Sequence, residues 1–181
     1  ALIAWRDGDL RAAAGSVQAI ADKAQGNWEI LQPIFEYWAQ NKAWLLVGMT
    51  IFRPDGVQMQ TPAELEDQLH AILYMLAQDP LAGDFLLSHA NNRLFQVAVI
   101  RRDLYFGDPA MAKESLGKIL NDRLVMRNFP EARALEAEIY IQLKDFPRAT
   151  EILNTLKQDK SLPVWVQELV TGLIEQITIK P

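Results

Sequence analysis

Six prolines of this chain stand at or near the start of a segment whose apolar residues recur every three to four positions. That placement constrains the fold more than any other feature. Apolar spacing of i, i+3, i+4, i+7 is the mark of an amphipathic helix, and proline is tolerated in a helix at its first turn, where its missing N–H has no partner to lose. Thr61-Pro62-Ala63-Glu64 sets a capping hydroxyl, the proline and a glutamate that can reach back to the cap. Asp79-Pro80 and Asp108-Pro109 repeat the cap-then-proline order, and Pro130, Pro147 and Pro163 open three further periodic segments. Strand alternation is nearly absent. The pattern predicts helices over 9–24, 28–40, 43–52, 62–78, 80–89, 91–106, 109–121, 130–143, 147–158 and 163–178, with a helical fragment before Gly8. Only 53–60, containing Pro54-Asp55-Gly56, reads as a real loop. The other links are a few residues long, so successive helices are expected to lie antiparallel.

Helical hairpins stacked at a fixed period build a solenoid rather than a bundle. The clearest unit is 131–159, where Ala137, Tyr140, Leu143, Phe146, Ala149 and Leu153 combine small and large apolar residues. This stretch resembles the tetratricopeptide repeat. The resemblance implies that Tyr140 wedges between helices and that Ala149 lets them approach closely. It is partial: Arg133 and Glu136 stand where the motif has its leading Trp and Leu, and Ala137 where it has Gly. With Ala149 as register mark, comparable positions after a turn are Ala112 and Ala13, and Leu46 and Gly83 take the intermediate slots. The intervals are 33, 37, 29 and 37 residues, against a family period of about 34. The expected fold is therefore all-α: a right-handed, tetratricopeptide-like α-solenoid of about five antiparallel helical hairpins, forming a single domain over 1–181. A compact helical bundle is the alternative. In the last helix, Trp165, Val166, Leu169, Val170, Leu173 and Ile177 form an apolar stripe opposite Gln167, Glu168, Thr171 and Glu175, as a capping helix requires.

Composition narrows the function. Half of the 181 residues are hydrophobic, enough for a sizeable core, and no run is long and apolar enough to cross a membrane. A net charge of −5 argues against nucleic acid and anionic membranes, whose phosphates require clustered Lys and Arg. The absence of cysteine excludes disulfides, thiolate metal sites and thiol nucleophiles, and is compatible with an oxidising compartment. The chain opens Ala-Leu-Ile-Ala-Trp without Met, as expected of a trimmed or processed piece.

In repeat folds of this kind the binding surface is the concave face, lined by the first helix of each hairpin. The register assigns to it Trp28, Leu31, Phe35 and Trp38, then Gln68, Ile72 and Met75, then Val97, Arg101, Leu104 and Tyr105, then Glu138 and Gln142. Trp28, Phe35, Trp38, Met75, Arg101, Leu104 and Tyr105 are the partner-binding candidates, since aromatic, Met and Arg side chains supply the anchors of protein interfaces. The competing reading of each is ordinary core. Catalytic groupings are weak: Ser88 adjoins His89 without a third group to orient a base. Two histidines and scattered acids give no metal set, and no Gly-rich phosphate loop is present. Arg93, Arg101, Arg102, Arg123, Arg127 and Arg133 could gather around a peptide carboxylate.

The expectation is a non-enzymatic interaction scaffold or adaptor, without cofactor or metal, holding a peptide or partner helix in an apolar groove. Its expected setting is accessory to a bacterial periplasmic assembly or secretion system, membrane-anchored through a segment outside this chain, with a cytoplasmic setting as alternative. Two rivals are a small-ligand binder or enzyme with a pocket near Trp28, Trp38 and His70, and self-association through the groove.

Overall fold

A computed structural model describes residues 1–25, 27–52, 66–121 and 129–179. Every regular element among them is helical. The all-α expectation therefore holds, with helix boundaries mostly within one or two residues of those read from the sequence. The predicted helix start at Pro62 and loop at 53–60 lie outside the described residues.

The chain divides into two compact units, 1–89 and 90–181. The first contains α1 (Leu2–Arg6), α2 (Leu10–Ala24), α3 (Trp28–Gln40), α4 (Trp44–Ile51), α5 (Glu66–Leu76), a 3-10 turn (Pro80–Ala82) and α6 (Gly83–Ser88). Its core gathers around α4, which packs on α2, α3 and α5 and is apolar nearly all round. Leu45, Leu46 and Val47 from α4 are buried there with Ala13, Leu31, Leu73, Leu76 and Leu86. Gly48 admits the close approach, because a Cβ at that position would stand 2.9 Å from Leu76 Cδ1 and 3.2 Å from Phe85 Cε1.

The second unit contains a 3-10 turn (Arg93–Phe95), α7 (Gln96–Phe106), α8 (Pro109–Leu120), α9 (Glu131–Gln142), α10 (Phe146–Gln158) and α11 (Val164–Ile179). Here α9 is the central element, touching α7, α8, α10 and α11. Its alanines at 134 and 137 admit Leu153 and Leu156 of α10 and Val166, Val170 and Leu173 of α11 into one cluster. Of the apolar stripe expected of the last helix, Val166, Val170 and Leu173 belong to that cluster and Trp165, Leu169 and Ile177 pack against it, while Glu168, Thr171 and Glu175 face solvent. Gln167 is half-buried and donates to the Leu162 carbonyl at 2.7 Å.

One turn geometry recurs. After α1, α3 and α9 the chain places a single residue, Gly8, Lys42 or Lys144, at a φ of 77°, 56° or 62°. In each case the next N–H reaches back five residues: Asp9 to Ala4, Ala43 to Trp38 and Asp145 to Tyr140, all at 2.8–2.9 Å. This satisfies the orphan carbonyls at the helix end. Aspartates cap four helix starts, two of them, Asp9 and Asp145, directly after this turn: Asp9, Asp79, Asp108 and Asp145 accept from the Ala12, Leu81, Ala110 and Arg148 N–H groups. Ala13, Val47 and Ala149 each stand five residues beyond the left-handed residue, so Val47, not Leu46, matches Ala149 in distance from this turn. Two predicted helices differ in detail. The segments from Pro80 and from Arg93 open as 3-10 turns, where Asp79 and Asn92 accept from the N–H groups of Leu81 and Leu94.

Candidate functional site

An apolar cleft of about 330 Å³ lies in the first unit between α3, α4 and α5. The helical period of α3 brings Trp28, Gln32, Phe35, Glu36 and Ala39 to one side. Trp44, Val47 and Ile51 of α4 form further wall, and Gln68, Leu69, Ala71 and Ile72 of α5 line the cleft as well. Trp28 meets Phe35 edge-on at 5.2 Å, and Phe35 stacks on Trp38 at 6.1 Å, so an aromatic row stiffens the α3 wall. Asn27 caps α3 by accepting from the Glu29 N–H. The polar groups among the described lining residues are Gln32, Glu36 and Gln68, and the Gln32 amide donates to Glu36 at 2.9 Å.

Four residues assigned to the concave face from sequence, Trp28, Phe35, Gln68 and Ile72, thus meet at one cleft. The other candidates need correction. Phe35 is 7% exposed and Trp38 3%, so Phe35 offers only an edge to the cleft and Trp38 belongs to the core. The rival pocket near Trp28, Trp38 and His70 is realised at Trp28 alone, because Trp38 and His70 are buried and absent from its lining. Met75 is 40% exposed and lies beyond that lining. Sequence reasoning passed over Ile30 and Tyr37, which stand 51% and 55% exposed on another face of α3. Their spacing of seven was the available signal.

In the second unit Leu104 and Arg101 are buried, against the expectation that they line an open groove. Arg101 makes a two-pronged bond with Glu138, Nε to Oε2 and Nη2 to Oε1, both at 2.8 Å, which ties α7 to α9. The exposed Tyr105 ring lies 5.2 Å from the same guanidinium. Three members of the proposed arginine set are engaged within the unit: Arg101 holds Glu138, Arg102 lies over the Phe106 ring and Arg133 bonds Glu136. Arg123 and Arg127 lie outside the described residues. A polar cleft of about 470 Å³ includes Arg133, Glu136, Tyr140, Arg148 and Glu151. Arg148 donates to the Tyr140 hydroxyl at 3.0 Å, and that bond raises the guanidinium pKa above its ordinary value. Lys113 covers the Tyr140 ring at 4.8 Å. Each acid of this cleft stands near a cation, so it presents no single sign of charge.

Ser88 and His89 do meet, with Oγ 3.1 Å from Nδ1. The Phe85 carbonyl lies 2.8 Å from both atoms. A carbonyl can only accept, so the ring nitrogen facing it carries a proton and has no lone pair with which to take one from Ser88. The pair is a helix end, not a nucleophile with its base.

Among the described residues no group of His, Asp and Glu is arranged to hold a metal ion, and no helix is long and apolar enough to cross a membrane. No protein-family model, curated protein or solved structure matches the chain.

Proposed function

We propose that this chain is a non-enzymatic adaptor built on divergent tetratricopeptide-like hairpins, and that it holds an apolar segment of a partner protein in the cleft between α3, α4 and α5. The cleft itself carries the proposal. It is apolar, walled by two tryptophans and a phenylalanine, and fringed by uncharged amides and one carboxylate. Side chains of that kind act as interface anchors, and a cleft between helices suits a partner helix or extended segment. The repeat reading draws support from the recurring turn: Lys42 lies 34 residues beyond Gly8, and Lys144 lies 102 beyond Lys42, three times that interval. A right-handed stack of about five hairpins, closed by α11, is the arrangement we infer from that period. The absence of cysteine suits a periplasmic setting, and we extend the proposal to an accessory role in a bacterial assembly or secretion system there.

A second reading, a small apolar ligand, rests on the cleft's volume, which lies at the lower end of the range such ligands occupy. The scarcity of convergent polar groups, with His70 outside the lining, weighs against it.

Gln68→Trp tests the proposal, because Gln68 is exposed at the cleft and the change adds bulk without charge. The account expects a partner captured by the native chain and lost from the still-folded variant. Equal capture by both contradicts it. Sedimentation of the two proteins decides self-association, which predicts a dimer that Gln68→Trp dissociates.

A further inference from the structure

The chain's charge is unevenly divided. Residues 1–89 carry five Lys and Arg against eleven Asp and Glu, whereas 90–181 carry thirteen against twelve. The whole net charge of −5 therefore originates in the first unit, slightly offset by the second. No Lys or Arg occurs between Arg53 and Arg93.

The cleft lies within that acidic unit, and its walls sharpen the bias. Helices α3, α4 and α5 contain no Lys or Arg at all, while α3 carries Glu29 and Glu36 and α5 begins Glu66-Asp67. Glu36 lines the cleft. Glu29 and Gln32 precede it at i−7 and i−4, so the three share one stripe along the edge of α3, and Glu29 is exposed. Asp67, also exposed, stands one turn before Ala71, which lines the opposite wall. An apolar floor between two acidic edges leaves a like-charged partner repelled at both sides, while a cationic one is attracted on approach and held in register.

Resting on the cleft being a partner site, we infer that its occupant is a cationic amphipathic protein segment: aliphatic or aromatic anchors flanked on both sides by Lys or Arg. The anchors enter between Trp28, Phe35 and Ile72, and the flanking cations face Glu29, Glu36 and Asp67. Negative charge on the whole unit excludes nucleic acid as the source of the complement.

Three short amphipathic peptides test this, with leucine at i, i+3, i+4 and i+7 and with Lys, Gln or Glu at every other position. Each is titrated by fluorescence anisotropy against the full chain, the Gln68→Trp variant, and a Glu29→Gln/Glu36→Gln/Asp67→Asn variant whose melting is checked first. The expected order is Lys over Gln over Glu. Three facing charges give at least about a tenfold spread between the extremes at low salt, shrinking as salt screens them. The triple variant brings the three peptides to within about threefold of one another, since only screened background charge remains. Gln68→Trp weakens all of them without altering charge. If the Gln peptide binds the native chain as tightly as the Lys peptide and Gln68→Trp removes both, the cleft is a partner site and the cationic preference is wrong. If no peptide binds, or if the Lys peptide binds Gln68→Trp as well as the native chain, the cleft reading itself falls.

Discussion

Phe35 stands between the core and the cleft, and its neighbours decide what its removal does. It is 7% exposed and in ring contact with both Trp28 and Trp38. Phe35→Ala is therefore expected to lower stability by about 3–5 kcal/mol, as core aromatic truncations do, whereas Tyr105→Ala at an exposed ring costs about 1 kcal/mol or less. Urea unfolding of the two variants checks the contrast. Equal, small effects would mark Phe35 as a surface anchor after all. The Arg101 and Glu138 pair behaves differently, because both groups are buried and joined by two hydrogen bonds. Glu138→Gln removes one charge of this buried pair and should cost about 3–5 kcal/mol. Replacing both residues by apolar side chains of similar volume should cost far less, since two desolvated charges are removed together. Gly48→Ala sets a methyl against Leu76 and Phe85 inside a filled core. The strain of about 1–3 kcal/mol expected of overpacking outweighs the roughly 1 kcal/mol gained in helix propensity, so the melting temperature should fall.

At the scale of elements, helix ends hold the most testable energy. Lys42 and Lys144 occupy a left-handed conformation in which a Cβ is unfavourable by about 1–2 kcal/mol, while Gly8 occupies it freely. Lys42→Gly and Lys144→Gly are expected to raise stability by up to about 1 kcal/mol, and Gly8→Ala to lower it by a similar amount. Asp108→Ala, which removes the acceptor for the Ala110 N–H, should lose about 1 kcal/mol by thermal unfolding. At the end of α10, Asp159 accepts from the Ser161 N–H and hydroxyl, and these bonds lower its pKa below the ordinary carboxylate value. A depressed pKa contributes stability at neutral pH that is lost as the pH falls through the folded value. Ser161→Ala should move the Asp159 carboxyl titration upward, as carbon-detected NMR would report. These ends were also the part of the fold most legible in the sequence. Asp79 and Asp108 are named as caps by residue type and the proline that follows, and prolines mark the starts; the caps Asp9 and Asp145 emerge in the structure. The cleft was legible only as a stripe on α3 and another on α5. Periodicity reports which residues share a face; it does not report that α4 lies between, that Trp38 turns inward, or that Arg101 finds Glu138 thirty-seven residues away. Those outcomes depend on tertiary packing, which local spacing leaves open.

Over the whole molecule the two units differ in chemistry as well as in sequence. Residues 90–181 have their own core around α9 and nearly balanced charge. Expressed alone, that unit should retain helical circular dichroism and melt cooperatively; a non-cooperative melt would show that its core is insufficient by itself. Residues 1–89 carry the apolar cleft and the acidic excess, so partner binding should belong to this unit and weaken with salt. The central claim, that a protein segment occupies the cleft, is tested most directly by site-specific photocrosslinking in the cells from which the protein comes. A benzophenone side chain is placed at Gln68 or Gln32 on the cleft, and for comparison at Glu168 on the exposed face of α11. The account predicts that the two cleft positions yield the same protein adduct, mapped by mass spectrometry to one apolar segment, and that Glu168 does not. No adduct at Gln68 and Gln32, or the same adducts at Glu168, would contradict it.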